Sequence, residues 1–301
     1  MPINTSKSLS ILIPTYNDIC VDLVKSLSAQ AGSIDGLAYE IIVADDGSTD
    51  RHSVEINREI STLPHSRYIE LGTNAGRAAI RNFLAREARY DLLLYADSHM
   101  SVISPDYVRN YLAHADNALV YGGYTIDTRQ PEMSNLRYVY ELSCLSSQDY
   151  HERRQHPYSN FHTSNFMIHR DVMLAHPLDE RFRRYGYEDV LYGKTLKAAG
   201  IEILHIDNPL GFNRFESNER FLEKTLEGLH TLYDFREELR GYSRLLDLSS
   251  KLQRWHLSAI VRFVYTIVGR SVRRNLTGSN PSATLFKVFR LGEYEKISGV
   301  S

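Results

Sequence analysis

Short apolar runs alternate with helix-length segments over residues 1–120 of this 301-residue chain, and this alternation constrains the fold more than any other feature. The apolar runs are rich in Ile, Val, Leu and Tyr and comprise Leu9–Ile13, Glu40–Ala44, Arg67–Leu71 and Asp91–Ala96. The segments between them repeat apolar residues near the 3.6-residue helical spacing and comprise Asp18–Gln30, Ser48–Thr62 and Gly76–Arg89. Apolar strands that alternate with helices predict an α/β fold, in which a mostly parallel sheet is covered by helices on both faces.

Polar turns follow three of the predicted strands. Pro14–Asn17 follows the first strand, Asp45–Ser48 the second and Asp97–His99 the fourth. Because such sheets bind ligands beyond the carboxyl ends of their strands, we expect a ligand site where these turns meet. Each turn by itself is also ordinary turn or N-cap chemistry, but three turns in equivalent positions favour a shared site.

The pattern changes after residue 120. Residues 121–165 are rich in Tyr, Ser, Arg and His with little periodicity, which is typical of a long binding segment. Further strands and helices are predicted at Ser164–His169, Val190–Ala199, Ile201–His205 and Glu216–Leu239. We predict one domain over residues 1–230, with a nucleotide-binding part at about 8–120 and an acceptor and catalytic part at about 121–230. A basic helical extension follows over residues 231–301.

The net charge of −2 is unevenly distributed. From Arg240 onward there are eleven Lys or Arg and three Asp or Glu, so this part carries +8 and residues 1–239 carry −10. Within it Trp255–Val268 is apolar and has arginines around it, which resembles an interfacial helix for an anionic membrane. The alternative is that its apolar face packs on the body or forms a homodimer. No nucleic-acid partner is expected, because the basic residues are not interleaved with a recognition motif.

Cysteine usage and the N-terminal sequence indicate the compartment. Cys20 and Cys144 are far apart and form no CxxC motif, which suits a reducing environment. No charged n-region precedes an apolar h-region, and no stretch reaches the roughly 18 uncharged apolar residues of a spanning helix. We expect a cytoplasmic protein that is either soluble or peripheral on the inner face of the membrane.

Five groups of residues, in order along the chain, resemble signatures of family 2 glycosyltransferases. The first four are Ile11–Asn17, Asp45–Asp50, Asn74–Gly76 with Arg81 and Asn82, and Asp97–His99. The fifth, Tyr185–Asp189, resembles the catalytic motif of galactosyltransferase-type C-terminal regions. The resemblance covers roughly residues 8–225. It implies the GT-A fold and, as activity, the transfer of a sugar from a nucleotide sugar to a glycan or lipid-linked acceptor in polysaccharide biosynthesis.

The resemblance also implies how the donor, which is expected to be a UDP-sugar, is held. Asp46 accepts a hydrogen bond from a base N–H, and the first turn supplies backbone groups and an aromatic face. Arg77 or Arg81 reaches the base or the phosphates, although a helix-surface arginine is the alternative for Arg81. The implied donor-binding residues are Pro14, Thr15, Tyr16, Asp46, Arg77, Arg81, Asp97 and Ser98.

A metal site is expected at the Asp97-Ser98-His99 triplet. Strand alternation directs Asp97 and His99 the same way, and a carboxylate with an imidazole suits Mn²⁺ better than Mg²⁺. The triplet resembles that of polypeptide N-acetylgalactosaminyltransferases, which use it with Mn²⁺. The third ligand is His205, the carbonyl of Asn213 or water, since the family histidine is absent near Phe212. The alternative for His205 is a strand histidine with a backbone partner.

The resemblance places the catalytic pair at Glu188 and Asp189. Inverting transfer needs a base for the acceptor hydroxyl, and Asp189 has that role by resemblance, while Glu188 holds donor or acceptor hydroxyls. Tyr185 and Tyr187 offer ring faces to a sugar or pack in the core. The alternative for the acidic pair is that it only favours the start of the following helix, where carboxylates are stabilising.

Two other functions remain open from the sequence. A sugar-nucleotide nucleotidyltransferase shares a similar sheet and metal chemistry, but would show a Gly-rich N-terminal loop where this chain has Pro14–Asn17. A catalytically inactive relative that only binds nucleotide or glycan is favoured by the missing downstream histidine. The intact pair Glu188 and Asp189 favours the enzyme.

Overall fold

The computed structural model describes residues 8–299, and the chain divides into two compact units. We call the first the sheet unit; of the described residues it comprises 8–125, Gln148–Arg183 and Tyr192–Arg214. We call the second the helical unit; it comprises Ile126–Ser147, Arg184–Leu191 and residues 215–299. This division differs from the predicted boundary at residue 230, because the chain passes between the units five times.

The sheet unit is built on seven strands with the order β3-β2-β1-β4-β8-β6-β9. Strand β8 is antiparallel to both neighbours, and the other neighbouring pairs are parallel. The sheet is therefore mostly parallel, as the sequence predicted. Strands β5, β10 and β7 form a second, smaller sheet. The strands are β1 (Ser8–Thr15), β2 (Ala38–Asp45), β3 (Ser66–Glu70), β4 (Leu92–Ala96), β5 (Ser101–Val102), β6 (Leu119–Tyr121), β7 (Tyr124–Thr125), β8 (Asn165–His169), β9 (Ile203–His205) and β10 (Leu210–Gly211).

Helices flank the sheet and make up the helical unit. They are α1 (Val21–Gly32), α2 (Arg51–Asn57), α3 (Arg77–Glu87), α4 (Tyr107–Leu112), α5 (Leu136–Cys144), α6 (Tyr150–Gln155), α7 (Arg170–Ala175), α8 (Glu188–Ala198), α9 (Asn218–Asp234), α10 (Arg244–Arg254), α11 (Ser258–Leu276) and α12 (Ala283–Ser298). Short 3₁₀ turns cover Arg58–Thr62 and Leu145–Gln148. The predicted helix over Ser48–Thr62 is therefore a shorter α-helix that ends in a 3₁₀ turn.

The core of the sheet unit is formed by strands that are buried on both faces. Leu12 on β1, Ile42 on β2 and Tyr95 on β4 pack with Ile80 and Leu84 of α3. The ring of Tyr95 also stacks on Phe166 of β8, with ring centroids 4.7 Å apart. Burial on both faces is why these strands are apolar without alternation.

Strand β1 continues two residues further than the sequence predicted. Pro14 pairs with Ala44 and Thr15 with Asp45 of β2. On its other side β1 pairs with β4 only as far as Leu12, so Pro14 lies where no second neighbour needs an N–H donor. Thr15 therefore ends the strand, and the polar turn begins at Tyr16.

The helical unit has two apolar clusters of its own. One contains Phe221 of α9, Tyr265 of α11, and Phe286 and Phe289 of α12. The other is centred on Leu229 and Leu232 of α9 and includes Tyr294 of α12. Serine side chains cap three of its helices at the N-terminus, namely Ser217, Ser243 and Ser282. None of the helices within residues 8–299 has the length and apolarity that a membrane-spanning helix requires.

Candidate active site

The turns after β1 and β2 are held together by Asn17. Its Oδ1 accepts from the backbone N–H groups of Thr49 (2.8 Å) and Asp50 (2.9 Å), and its own N–H donates to Oγ of Ser48. Asn17 has φ of 53°, a left-handed conformation that asparagine tolerates better than most residues. This finding confirms that the first two polar turns meet at one edge of the sheet, as the sequence predicted.

The paired aspartates after β2 have different partners. Asp45 accepts from the Ser48 N–H and from the Tyr68 hydroxyl, each at 2.6 Å, and so organises its own turn. Asp46 accepts from the backbone N–H groups of Ala75 (2.8 Å) and Gly76 (3.0 Å). Burial raises the pKa of the Asp46 carboxyl above its usual value, although both backbone donors act in the opposite direction. Each carboxylate oxygen still has a second lone pair for a ligand N–H.

Gly76 is required at the turn that faces Asp46. Its φ is 96°, which an L-residue with a side chain rarely adopts. A Cβ at this position would also lie 3.3 Å from the Cα of Arg183. Arg77 then begins α3 and is exposed, whereas Arg81, one helical turn later, is buried.

Arg81 is directed into the sheet unit and contacts Asp97. Its Nη2 donates to Oδ1 of Asp97 at 2.5 Å, and its Nη1 donates to the backbone oxygen of Arg77 at 3.0 Å. Because the Arg81 side chain is only 3% exposed, the alternative of a helix-surface arginine is wrong. Whether Arg81 also contacts a nucleotide stays a prediction.

The Asp97–His99 triplet forms a turn and does not continue β4. The strand ends at Ala96, and the Met100 N–H donates to the carbonyl of Asp97 at 3.0 Å. Strand alternation therefore does not apply to Asp97 and His99, and the geometry of the turn sets their relative directions. His99 is half-buried, with its ring edge-on to Phe212 at a centroid distance of 5.1 Å.

Asp18 and Arg214 connect the Asp97–His99 turn to the Pro14–Asn17 turn. Neither residue was a predicted site residue. Ser98 donates to Oδ2 of Asp18 at 2.8 Å, and Arg214 lies 3.1 Å from Oδ1 of Asp18. Arg214 also donates to the carbonyls of Ser98 (3.0 Å) and Ile19 (3.2 Å). The available signal was the position of Asp18 directly after the Pro14–Asn17 motif; Arg214 had no local signal.

His205 is placed as a structural residue and not as a metal ligand. Its Nε2 lies 2.9 Å from the carbonyl of Pro157, so the Nε2–H tautomer donates there and Nδ1 accepts from Arg153 at 3.2 Å. Burial lowers the pKa of His205 to about 4, and nearby Arg153 acts in the same direction. Since both ring nitrogens have protein partners, the expected ligation by His205 is corrected to the backbone-partnered alternative.

No cluster of three or more His, Cys, Asp or Glu side chains within residues 8–299 is arranged to hold a metal ion. The set of Asp97, His99 and His205 is thus not brought together. Asp97 and His99 still lie in one turn and offer an oxygen and a nitrogen donor, which fits a divalent ion completed by a ligand's phosphate oxygens and water.

The residues expected to contact the donor's base differ in how far their side chains are exposed. Tyr16 is 45% exposed, so its ring is available for stacking. Thr15 is buried, and its hydroxyl donates to the carbonyl of Asp18 at 3.2 Å. Pro14 is buried within β1. Of these three, only Tyr16 exposes a large side-chain surface.

The segment with the expected catalytic pair belongs to the helical unit. Glu188 is buried and Asp189 half-buried, and both lie in the first turn of α8. Before them Gly186 and Tyr187 have φ of 91° and 69°, so two consecutive left-handed residues turn the chain into the helix. A left-handed tyrosine is strained and persists only where its surroundings hold it.

Helix α9 supplies those surroundings. Thr231 donates to the carbonyl of Tyr185 at 3.0 Å, and Glu227 accepts from the Tyr185 N–H at 3.2 Å. Gly228 lies between them, and a Cβ there would make ordinary van der Waals contact with the Tyr185 carbonyl oxygen, at 3.5 Å. Arg290 of α12 donates to the Tyr187 hydroxyl at 3.4 Å. No motif in the sequence marks these supporting residues.

The sequence profile described as Glycosyl transferase family 2 matches residues 10–175, which is more than half of the chain. The chain belongs to glycosyl transferase family 2. The validoxylamine A glucosyltransferase of Streptomyces hygroscopicus subsp. jinggangensis (strain 5008) is 30% identical to this family 2 chain over 224 residues. That match covers 64% of this chain and 52% of the relative. Chondroitin synthase of Escherichia coli is 35% identical over 118 residues, covering 38% and 17% of the two chains. The chain therefore spans about half or less of the length of these curated relatives.

Two solved structures share the architecture of this family 2 chain. The mannosyltransferase PcManGT from Pyrobaculum calidifontis, in complex with GDP-Man and Mn²⁺, has a TM-score of 0.56 at 13% identity and covers 98% of this chain and 87% of that one. S. aureus TarS 1-349 in complex with UDP-GlcNAc has a TM-score of 0.51 at 18% identity and covers 97% and 92%. At these identities the likeness shows the fold, which is the GT-A fold that the sequence resemblance implied.

Proposed function

We propose that this family 2 chain is an inverting, metal-dependent glycosyltransferase. It moves a hexose or N-acetylhexosamine from a nucleotide sugar, with UDP as the expected nucleotide, to a glycan or lipid-linked acceptor. One observation carries the proposal: the Asp97–His99 turn follows β4, with Asp97 held by a buried arginine and Ser98 tied to the first polar turn through Asp18. Such cross-connected turns beyond parallel strands form a preorganised anion and metal site.

The donor nucleotide is bound by the first two turns in this proposal. Tyr16 stacks on the base, and Asp46 accepts from a base N–H with a lone pair that its two backbone donors leave available. A base without that donor would leave a buried carboxylate unsatisfied, which gives nucleotide specificity. The exposed Arg77 contacts a phosphate, while Arg81 acts through Asp97.

Asp97 and His99 would hold the divalent ion, with Mn²⁺ favoured over Mg²⁺ because imidazole prefers softer ions. A carboxylate that accepts from Arg81 keeps lone pairs for a cation, so the buried ion pair is compatible with binding. When bound, the ion supplies Lewis-acid stabilisation of the diphosphate leaving group. The binding of Mn²⁺ to the protein with UDP, measured by calorimetry, tests this assignment without any turnover.

The transfer step uses the acidic pair at the start of α8. The acceptor oxygen bonds to the anomeric carbon as the bond between that carbon and the diphosphate oxygen breaks, and the nucleoside diphosphate leaves. Asp189 takes the proton of the acceptor hydroxyl, and Glu188 holds sugar hydroxyls. The Gly-Tyr-Glu-Asp sequence favours galactose or an N-acetylhexosamine through its resemblance to galactosyltransferase-type motifs.

The proposal also includes an acceptor and a cellular location. Chondroitin synthase is among the relatives by name, which supports a saccharide acceptor in polysaccharide biosynthesis. We place the protein in the cytoplasm, with a peripheral contact to the inner face of the membrane through its basic C-terminal part.

An inactive relative that only binds nucleotide or glycan is the second candidate. It is favoured by the absence, within residues 8–299, of a three-residue metal cluster. The strained turn before Glu188 favours the enzyme, because stored backbone strain clusters at functional sites.

A thermal-shift screen of nucleotide sugars, with and without Mn²⁺, tests donor binding, because a ligand that binds the folded state raises its stability. We expect one UDP-sugar with Mn²⁺ to raise the midpoint by several degrees. Release of UDP from that sugar in the presence of saccharide acceptors then separates the candidates. Binding without release supports the inactive relative, and no binding of any nucleotide sugar contradicts both.

A further inference from the structure

Helix α11 has an apolar face on each of two opposite sides. Its buried side includes Ser258, Tyr265, Val272 and Leu276. Tyr265 packs so closely on α12 that a Cβ at Gly292 would collide with its ring. The Tyr265 hydroxyl donates to Glu293 at 3.0 Å. The helix is therefore anchored in the helical unit by one side only.

The opposite side of α11 is apolar and exposed. Phe263 is 68%, Ile267 66%, Ile260 57% and Val264 49% exposed. Their spacing of i, i+3, i+4 and i+7 puts them in one stripe, about 150° around the helix from the buried side. Single exposed apolar residues are ordinary, but a contiguous stripe of large ones marks an interaction surface. Trp255, which is 64% exposed, lies just before this helix.

The charges beside this stripe have one sign. Residues 251–274 contain six Lys or Arg and no Asp or Glu. Five of these cations are exposed, namely Lys251, Arg254, Arg270, Arg273 and Arg274. The sixth, Arg262, lies 4.0 Å from the buried Glu295 of α12. Arg274 lies at the C-terminal end of the same stripe, about two helical turns beyond Ile267.

We propose that this face of α11 inserts into the interface of an anionic lipid bilayer. Apolar side chains enter the acyl boundary while the arginines contact lipid phosphates, which is the pattern of interfacial amphipathic helices. A second copy of the chain is disfavoured because a twofold interface would put five exposed cations against five identical ones. The contact is independent of the transfer reaction, although it would hold the enzyme beside a lipid-linked acceptor.

The single tryptophan of the chain provides a spectroscopic probe, because Trp255 is 64% exposed and lies three residues before α11 begins. With the full chain, phosphatidylglycerol-containing vesicles should shift the Trp255 emission to the blue and carry the protein in flotation. Vesicles of phosphatidylcholine alone should do neither. We expect the double variant Phe263→Ser/Ile267→Ser to lose vesicle binding by at least about tenfold, because two large apolar side chains no longer enter the bilayer.

The matched control is Leu174→Ser on α7, which also replaces an exposed apolar side chain of a helix by serine. It should bind vesicles as the parent protein does. Arg270→Glu/Arg274→Glu should reduce binding to anionic vesicles by at least about tenfold while circular dichroism shows an unchanged fold. Nucleotide-sugar binding, followed by thermal shift, should be unchanged in all these variants.

Three results would overturn the proposal. They are equal flotation of the parent and the Phe263→Ser/Ile267→Ser variant, equal binding to neutral and anionic vesicles, and no binding by the parent. If light scattering instead shows a dimer that the same double variant abolishes, the stripe is a contact between copies. Because none of these readouts uses sugar transfer, their failure is distinguishable from failure of the proposed enzymatic function.

Discussion

Arg81 on α3 and Asp97 after β4 form an ion pair inside the sheet unit. Nη2 of Arg81 lies 2.5 Å from Oδ1 of Asp97, and the two side chains are 3% and 12% exposed. The carboxylate that is expected to bind the metal is therefore oriented and charge-balanced by the protein itself. The ion pair therefore offsets the cost of burying both side chains.

Removing the arginine from this pair should destabilise the fold. Arg81→Met leaves the Asp97 carboxylate buried without its cation, and breaking such a pair costs about 3–5 kcal/mol of unfolding free energy. Arg77→Met on the exposed turn of the same helix should change it by less than about 0.5 kcal/mol. Urea denaturation measures both, and equal midpoints for the two variants would contradict the role of the pair.

Removing the carboxylate should abolish metal-assisted donor binding. We expect Asp97→Ala to bind UDP equally with Mn²⁺ and with chelator, whereas the parent protein binds more tightly with Mn²⁺. Asp91→Ala is the control, since Asp91 is exposed just before the other end of β4. Calorimetry gives the affinities. A parent affinity that chelator leaves unchanged would refute the metal site.

Asp189→Asn should separate binding from transfer. The amide cannot take the proton of the acceptor hydroxyl, so the transfer rate should fall by about 10²–10⁴-fold while donor affinity stays within about twofold. Asp234→Asn is a control in the same unit, because Asp234 forms an exposed ion pair with Arg184 at 3.3 Å. Substantial transfer activity in Asp189→Asn would assign the base elsewhere.

The stability of the fold should depend on His205 at mildly acidic pH. The pKa of His205 is about 4 in the folded protein against an ordinary histidine value of 6.5, so the unfolded state binds more protons between these limits. The contribution of His205 to the unfolding free energy is thus fully present above pH 6.5 and is lost as the pH falls toward 4, by about 3 kcal/mol in all. His205→Asn keeps an acceptor for Arg153 and should flatten this part of the pH profile.

The exposed His151 provides the control for that experiment. His151→Asn should keep the full decline of unfolding free energy between pH 6.5 and 4. If the decline persists unchanged in His205→Asn, another group causes it and the buried neutral state of His205 is wrong.

Arg214 should act as a positioning residue for the Asp97–His99 turn. Arg214→Ala removes its contacts to Asp18 and to the carbonyl of Ser98. Because its side chain is 52% exposed, global stability should change by less than about 1 kcal/mol. Hydrogen exchange should instead become faster at residues 97–100, and donor affinity should fall, with partial rescue by Arg214→Lys. Unchanged exchange at this turn would contradict the role.

Much of the fold and part of the site were predictable from local patterns. Buried strands such as β2 and β4 are continuous apolar runs, and their ends carry turn residues, so both could be located within about two residues. The meeting of the turns after β1 and β2 followed from the rule for parallel sheets. The prediction that strand alternation directs Asp97 and His99 the same way was wrong, because β4 has ended there and the residues form a turn.

Contacts between residues distant in sequence could not be predicted in this way. His205 had two candidate roles, and its partners Pro157 and Arg153 lie 48 and 52 residues away. Arg214 reaches Asp18 across 196 residues with no motif around either side chain that marks the contact. Such pairs depend on how the elements pack.

The amino-acid sequence by itself determined the strand and helix order, the polar turns at the strand ends and the basic, apolar character of residues 251–274. These properties depend on local spacing and composition. Only the tertiary structure decided that Arg81 faces inward to Asp97, that His205 is neutral and satisfied, and that the stripe at Phe263 and Ile267 is exposed. The reason is that the rotation of each helix about its axis is set by packing against its neighbours, as when Tyr265 anchors α11 on α12.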